Sequence, residues 1–466
     1  MTHTAYAHFI GIGGAGMSGI ARVLHDRGVT VTGSDLKSSR YASALEECGV
    51  RVFIGHDAAN LGDPEVVVIS SAIPESNPEL AAARAAGIEV WPRARMLAAL
   101  AGKDTAIAVA GTHGKTTTSS MVATVLDALG LDPTFLIGGE LNDMGANARC
   151  GRGGYYVVEA DESDGSFMFL APHVSLITNV EADHLDHYGS FEAVVETFGR
   201  FIAKTDPSGA VIACADDPQL AALAREHARA RVVTYGRTEG ADVRCVDMVR
   251  EGLGHRFTVT LPDGTSVGAS VTVPGEHNVV NATGVIAALW AMGLDAARAG
   301  EALHRFSGVR RRFDQVGVVD GVTIVDDYAH HPTEVRATLS AARGAGFDRV
   351  WVVFQPHRYS RTAAFGADFG AAFGDADRVV LMDVYSAGEA PIPGVSGKTV
   401  LDELLGHDPR TPVAYFPHRA DIEGYIVDRV RPGDLVMTMG AGDVTGIGGE
   451  LVRALDARKQ KAEACL

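Results

Sequence analysis

Over residues 8–90, short β-branched runs alternate with stretches whose apolar residues recur at helical spacing. HFIGIG, VTVTGSD, VRVFIG and VVVISSAI read as strands, and helices are expected over about 17–27 and 42–48. Such alternation predicts an open, mostly parallel sheet covered by helices. Pro92 and the polar Gly102-Lys103-Asp104 stretch then break the pattern, which puts a domain boundary near Lys103.

A second α/β run opens with TAIAVAG at Thr105 and continues through YYVVEAD, VSLITNV and AVIACAD. A strand-rich segment over 243–275 follows, with Asp263-Gly264 as its hairpin turn, and then HNVVNATGVIAALWAMG, a helix stopped by Gly293. The pattern restarts near Arg312, where VTIVDD, VWVVF, RVVLM, TPVAY and DLVMTM alternate with helical spacers such as 332–343. The expected fold is therefore α/β in three domains, spanning 1–103, 104–312 and 313–466.

Composition narrows the function. With 466 residues, 46% of them hydrophobic, the chain carries enough apolar material for large cores, so disorder is excluded as the dominant state. A net charge of −17 repels a phosphate backbone, so no nucleic-acid partner is expected. It does not exclude a small anionic substrate, because one pocket can gather arginines, lysines and helix N-termini against the global sign. Five scattered cysteines without a C-x-x-C pair argue against a disulfide scaffold or zinc ribbon. The start MTHTAYAHFIGIGGAG lacks a basic leader, and no window approaches a membrane span, so a reducing cytoplasm and no membrane insertion are expected.

Two glycine-rich loops carry the clearest chemistry. Gly11-Ile12-Gly13-Gly14-Ala15-Gly16 fits G-x-G-x-x-G directly after a strand, with Asp35 ending the next strand where a ribose acid belongs. Small residues there let the backbone approach the diphosphate of a nucleotide at a helix N-terminus. The second loop, Gly111-Thr112-His113-Gly114-Lys115-Thr116-Thr117, lies between an apolar strand and an expected amphipathic helix. Lys115 can reach β/γ-phosphate oxygens there, and Thr116 can offer its hydroxyl to Mg²⁺. This loop is shorter than the usual phosphate-binding pattern, since its first glycine comes only at Gly111.

A metal at such a loop needs a carboxylate at a neighbouring strand end, and Glu159 of YYVVEADESDGS is the first choice. Asp161, Glu162 and Asp164 are expected on a solvated turn. His184, in TNVEADHLDHYGS, could bind a second metal through a neutral imidazole. In the third domain, Arg310-Arg311-Arg312, Asp326-Asp327-Tyr328-Ala329-His330-His331 and Gln355-Pro356-His357-Arg358-Tyr359-Ser360-Arg361 gather chemistry that suits phosphate and carboxylate oxygens. Arg310 and His357 are expected to be solvated strand-end residues.

Taken together, HFIGIGGAGMSGIA, AGTHGKTTT, VEADESDGSF, TNVEADHLDHYG, HNVVNA, RRRFDQVG, DDYAHHPTEV, FQPHRYSRT and VYSAGEAPIPG resemble the Mur ligases, in order and over nearly the whole chain. The resemblance implies an N-terminal Rossmann-like domain for a UDP-sugar, a central P-loop ATPase, and a C-terminal Rossmann-like domain contributing ATP and amino-acid contacts. The implied reaction uses ATP to activate the lactyl carboxylate of UDP-N-acetylmuramate as an acyl phosphate. The amine of L-alanine then attacks through a tetrahedral intermediate, forming an amide and releasing phosphate beside ADP.

By the same resemblance, Gly13, Gly14, Ala15, Asp35, Ser70, Ser71 and Ala72 face the UDP-sugar. Gly111 to Thr117, with His277, Asn278, Arg312, Asp326 and Asp327, take ATP; Thr116, Glu159 and His184 hold Mg²⁺ in two sites. Tyr328, His330, Arg358 and Arg361 form the amino-acid and carboxylate end, and Lys115, His184, Arg312 and His330 are the expected catalytic groups. Where some relatives carry a carbamylated lysine after the histidine matching His184, this chain has Gly199-Arg200, so no carbamate is expected. A monomer or weak homodimer is expected.

Other readings leave residues unemployed. A recycling ligase joining the same UDP-sugar to a preformed tripeptide shares much of the motif set but needs a wider amine-side pocket. Folylpolyglutamate synthetase shares the short phosphate loop but needs no first glycine-rich domain. An NAD-dependent oxidoreductase gives Lys115, Glu159 and His184 no task, and a nucleotide switch gives none to Arg358, Arg361 and His330.

Overall fold

The computed structural model describes residues 4–70 and 72–464. Five strands, Tyr6–Ile10 (β1), Thr30–Asp35 (β2), Arg51–Ile54 (β3), Val66–Ile69 (β4) and Glu89–Pro92 (β5), form a parallel sheet in the order β3-β2-β1-β4-β5. The order reverses at β1, so the first glycine-rich loop leaves the sheet at the crevice where open α/β folds bind ligands. Pro92 ends an edge strand opposite Ile69, where a missing N–H costs no ladder bond, and it opens the helix Arg93–Leu100.

The central sheet has ten strands: Thr105–Ala110 (β6), Thr134–Leu141 (β7), Ala146–Arg149 (β8), Tyr155–Glu159 (β9), Val174–Ile177 (β10), Ala210–Cys214 (β11), Arg231–Gly236 (β12), Val243–Glu251 (β13), Gly254–Thr260 (β14) and Ser266–Val271 (β15). Their order is β15-β14-β13-β12-β11-β10-β6-β9-β7-β8. β10 and β9 flank β6 in parallel, so the loops that follow these three strands emerge side by side. The Asp263-Gly264 turn forms as expected, with Gly264 at φ +84°.

The helix Lys115–Ala128 is not the expected amphipathic one. Residues Thr118 to Leu126 are all buried, because β6, β7 and β9 cover one side and Ala296–Ala302 with Leu303–Arg305 the other. Its hydroxyls are accommodated locally in part, as where Ser119 Oγ donates to the Lys115 carbonyl at 2.8 Å.

The last sheet contains Asp314–Val319 (β16), Val322–Asp327 (β17), Arg349–Phe354 (β18), Arg378–Leu381 (β19), Val413–Tyr415 (β20) and Asp434–Met439 (β21), in the order β16-β17-β21-β18-β19-β20. Only β16, which the sequence pattern does not announce, runs antiparallel. The chain divides into two compact units: Met1–Met248, Arg256–Ser270 and Val280–Ser307 form the first, and Val249–His255, Val271–Val279 and Gly308–Leu466 the second. Both glycine-rich loops thus belong to one unit. No helix among the described residues is long and apolar enough to cross a membrane. Cys48, Cys150, Cys214 and Cys245 are free thiols, and Cys465 lies outside the described residues.

Candidate active site

In the first unit, Gly111 and Gly114 bend the chain between β6 and its helix at φ +133° and +81°. A Cβ at Gly111 would lie 2.1 Å from Thr178 Oγ1, so only glycine fits there. The segment after β10 clamps the loop: Thr112 N–H donates to the Asn179 carbonyl at 3.1 Å, and His113 N–H to Asn179 Oδ1 at 2.8 Å. Thr117 lies half-buried on the first turn of the helix.

Lys115 lies across this loop, its Nζ donating to the Gly111 and Thr112 carbonyls at 2.7 and 3.1 Å and to Glu162 Oε1 at 2.8 Å. Glu162 is only 2% exposed, which corrects its expected place on a solvated turn. Its neighbour Asp161 is half-buried. Burial pushes the Glu162 carboxyl up to about 7 even though Lys115 draws it down. Burial alone would lower the lysine, but the carboxylates of Glu162 and Asp161 hold it above its ordinary value.

Thr116 and Glu159 meet as expected: Thr116 Oγ1 donates to Glu159 Oε1 at 2.9 Å, and the Gly138 amide donates to Oε2 at 2.6 Å. These hard oxygens at the foot of a phosphate loop suit Mg²⁺. A Cβ on Gly138 would lie 2.8 Å from Glu159 Oε2. The cheapest relief is for the carboxylate to swing off Thr116. Gly138→Ala should therefore leave the melting temperature nearly unchanged while weakening Mg²⁺ affinity, measured by titration, about tenfold or more. A variant that binds Mg²⁺ normally would remove this role for Gly138.

His184 sits at φ +54° beyond the end of β10, with Nε2 3.6 Å from Asp183 Oδ2. It shares the strand-end edge with the Thr116–Glu159 pair, held by an acid of its own loop.

At the first glycine-rich loop, Gly14 precedes the helix Ala15–Asp26, and the Gly13 amide donates to Asp35 Oδ2 at 2.9 Å. Ser70 is half-buried and Ala72 exposed at the end of β4; Ser71 lies outside the described residues. A cavity within the first unit runs from this helix to the central sheet, lined by Gly16, Arg93, Gly138, Asn147, Glu159 and Asp161 among others. It runs from Ala15 and Gly16 of the first glycine-rich loop to Glu159. The sequence does not single out Arg93; its one signal is a basic first residue of a helix entered from a strand end.

The second unit gathers its groups at the carboxyl ends of β17, β21 and β18. Asp326 accepts from Thr438 Oγ1 and Thr445 Oγ1, both at 2.6 Å, and from Arg311 Nε at 3.1 Å. Asp327 accepts from the Phe313 and Ala329 amides at 2.7 Å each. Both carboxylates are buried and engaged, which holds the loop carrying Tyr328. The guanidinium groups of Arg311 and Arg312 lie 4.8 and 5.2 Å from the Tyr328 ring, and Arg312 approaches Glu334 at 3.6 Å. Arg310 is exposed, as expected.

His330 packs edge-on to Tyr328 at 5.2 Å and to His357 at 5.8 Å. Its Nδ1 faces the Tyr328 carbonyl at 2.9 Å, an acceptor only, which assigns the proton to Nδ1 and leaves a lone pair on Nε2. Burial lowers this imidazole to about 3, so it is neutral near pH 7. His357 is no solvated loop residue: it stacks on Tyr385 at 5.7 Å, and Arg361 Nη1 donates to its Nδ1 at 3.4 Å. Arg358, strained at φ +69°, pairs with Glu389 at 3.6 Å, and Arg361 is buried. Asn278 is buried, with Nδ2 donating to the Pro274 carbonyl at 2.7 Å, whereas His277 is exposed.

Three family models cover this chain in sequence: the Mur ligase family catalytic domain over 6–105, the Mur ligase middle domain over 109–289, and the Mur ligase glutamate ligase domain over 311–442. A UDP-N-acetylmuramate–L-alanine ligase of Acidothermus cellulolyticus is 47% identical over 97% of this chain and 95% of its own. The crystal structure of a UDP-N-acetylmuramate-alanine ligase from Thermotoga maritima superposes with a TM-score of 0.81 at 30% identity, covering 99% of this chain and 100% of that one. A murein peptide ligase from Psychrobacter arcticus superposes at 0.71 with 26% identity, covering 97% and 98%. Phosphate loop, strand-end carboxylate, paired glycine-rich crevice and full-length similarity agree, and the chain belongs to the Mur ligase family.

Proposed function

We propose that this chain is an ATP-dependent ligase that joins L-alanine to the lactyl carboxylate of UDP-N-acetylmuramate in peptidoglycan precursor synthesis, releasing ADP and phosphate. The observation that carries this reading is the cavity joining the first glycine-rich loop to Glu159, beside Lys115 and Thr116. It brings the helix after the first glycine-rich loop to the carboxylate that accepts from the phosphate-loop threonine.

In this reading domains 1–103, 104–312 and 313–466 take the UDP-sugar, ATP, and ATP with amino acid in turn. Gly13, Gly14 and Ala15 offer backbone and helix N-terminus to the diphosphate, with Asp35, Ser70, Ser71 and Ala72 around the nucleoside and sugar. Gly111 to Thr117 receive the ATP phosphates, and Lys115 and Arg312 neutralise charge as the γ-phosphoryl passes to a lactyl oxygen. Thr116 and Glu159, with His184 for a second ion, would hold Mg²⁺, which supplies further charge neutralisation when bound.

His277 and Asn278 contact the nucleoside, and Asp326 and Asp327 support that end. Tyr328, His330, Arg358 and Arg361 receive the alanine carboxylate and orient its amine. The amine nitrogen adds to the acyl-phosphate carbon to give the tetrahedral intermediate, which then breaks its C–O bond and expels phosphate, and one amine proton must leave. The free Nε2 lone pair of His330 suits an acceptor at that point, although its low proton affinity makes the transfer transient. The cytoplasm is the setting this reading assigns.

The test is phosphate release from ATP, Mg²⁺ and UDP-N-acetylmuramate with either L-alanine or the tripeptide L-Ala-γ-D-Glu-meso-diaminopimelate. Release is expected with free alanine. Release with the tripeptide alone would make the protein a recycling ligase instead.

A further inference from the structure

Lys115 is fully spoken for in this structure. Its ammonium has three N–H bonds, and each meets an acceptor: two carbonyls of its own loop and Oε1 of Glu162. A phosphate oxygen can reach Nζ only by displacing one of them. The carbonyls belong to the loop that would wrap the phosphate, whereas Glu162 comes from the segment after β9 and, when ionised, brings a negative charge. At 2% exposure, that charge is poorly screened by salt or water. Its other oxygen, Oε2, is buried and has no hydrogen-bond partner among the described residues, so Lys115 is the main compensation for this carboxylate.

We propose that Glu162 is a positioning residue that latches Lys115 over the phosphate loop and competes with nucleotide phosphate for its ammonium. The latch keeps the lysine at the mouth of the loop in the nucleotide-free protein and exchanges a carboxylate oxygen for a phosphate oxygen when nucleotide enters. The cost of leaving Glu162 unpaired then subtracts from nucleotide affinity. This rests on the phosphate-loop role proposed above.

The experiment is calorimetric titration of the full-length protein with ADP in the presence of Mg²⁺, for Glu162→Gln, Lys115→Ala, the double variant and the unaltered chain. Glu162→Gln keeps the shape but removes the charge, and about tenfold tighter ADP binding is expected. In the Lys115→Ala background the same substitution should change the Kd less than about twofold, because the competition no longer exists. A residue that merely supports the loop would weaken binding in both backgrounds. General repulsion of phosphate by a nearby carboxylate would tighten it equally in both, and either result overturns the latch. If Glu162→Gln does not fold, as judged by thermal melting, Glu162→Asp takes its place; its shorter reach should give a smaller tightening that also needs Lys115, and its failure to do so is equally decisive. Absence of ADP binding to the unaltered protein would instead overturn the phosphate-loop reading itself.

Discussion

Lys115→Ala is expected to lower alanine-dependent phosphate release by about three orders of magnitude or more while leaving affinity for UDP-N-acetylmuramate within about twofold. The lysine ammonium already lies on the phosphate loop, bonded to the Gly111 and Thr112 carbonyls. Removing it takes away charge stabilisation proposed to act as the γ-phosphoryl transfers. In the proposed reading the UDP end lies on another sheet, where the Gly13 amide donates to Asp35, and does not use Nζ. Because the substitution strands Glu162 as a buried unpaired acid, melting curves must accompany the kinetics. A parallel fall in UDP-sugar affinity in a well-folded variant would show the two binding regions assigned wrongly.

The second large effect concerns stability. Glu79 is fully buried in the first sheet's domain, where it accepts from Ser34 Oγ at 2.5 Å, Asn60 Nδ2 at 2.8 Å, and the Asp57 amide and His8 Nε2 at 3.1 Å each. Burial alone would raise this carboxyl, but the hydrogen bonds from His8, Ser34, Asn60 and Asp57 overcome it and bring the group down to about 2. Glu79→Ala leaves those donors buried without an acceptor and should cost about 3–5 kcal/mol. Hydrogen exchange over residues 6–92, combined with urea unfolding, would register the loss. A loss below about 1 kcal/mol would mean the network is replaceable by water.

The same group sets an acid limit. Its folded value lies below the ordinary 4.5, so its stabilisation is present above about pH 4.5 and is lost as pH falls through about 2. The unaltered protein should therefore lose protection in residues 6–92 across that window. Glu79→Gln, already less stable, should show a flatter dependence there.

The expected site was legible where a functional group lies within one strand–loop–helix unit. Lys115 and Thr116 follow β6 directly, and Glu159 ends β9, the strand beside it, so the strand-end rule finds the pair. Glu162 escaped that logic because a run of acids looks the same whether a turn is solvated or folded beneath a lysine 47 positions away. His357 escaped because its partners, Tyr385, His330 and Arg361, come mostly from other strand ends. The helix after the phosphate loop was misjudged because its far side is covered by Ala296–Ala302, a segment remote in sequence.

By itself, the sequence determined the alternation of strands and helices, the two glycine-rich turns and the chemical identity of the phosphate loop. These depend on local backbone geometry: apolar periodicity, positive φ at Gly111 and Gly114, and small residues at a helix start. Only the tertiary structure decided which acids are buried, which cation each one faces, and that Arg93 and Asp161 share a cavity with Gly16. Burial and pairing are set by what distant strands deliver to the same point. A charged residue keeps one identity in sequence, but its energy changes by several kcal/mol with its neighbours.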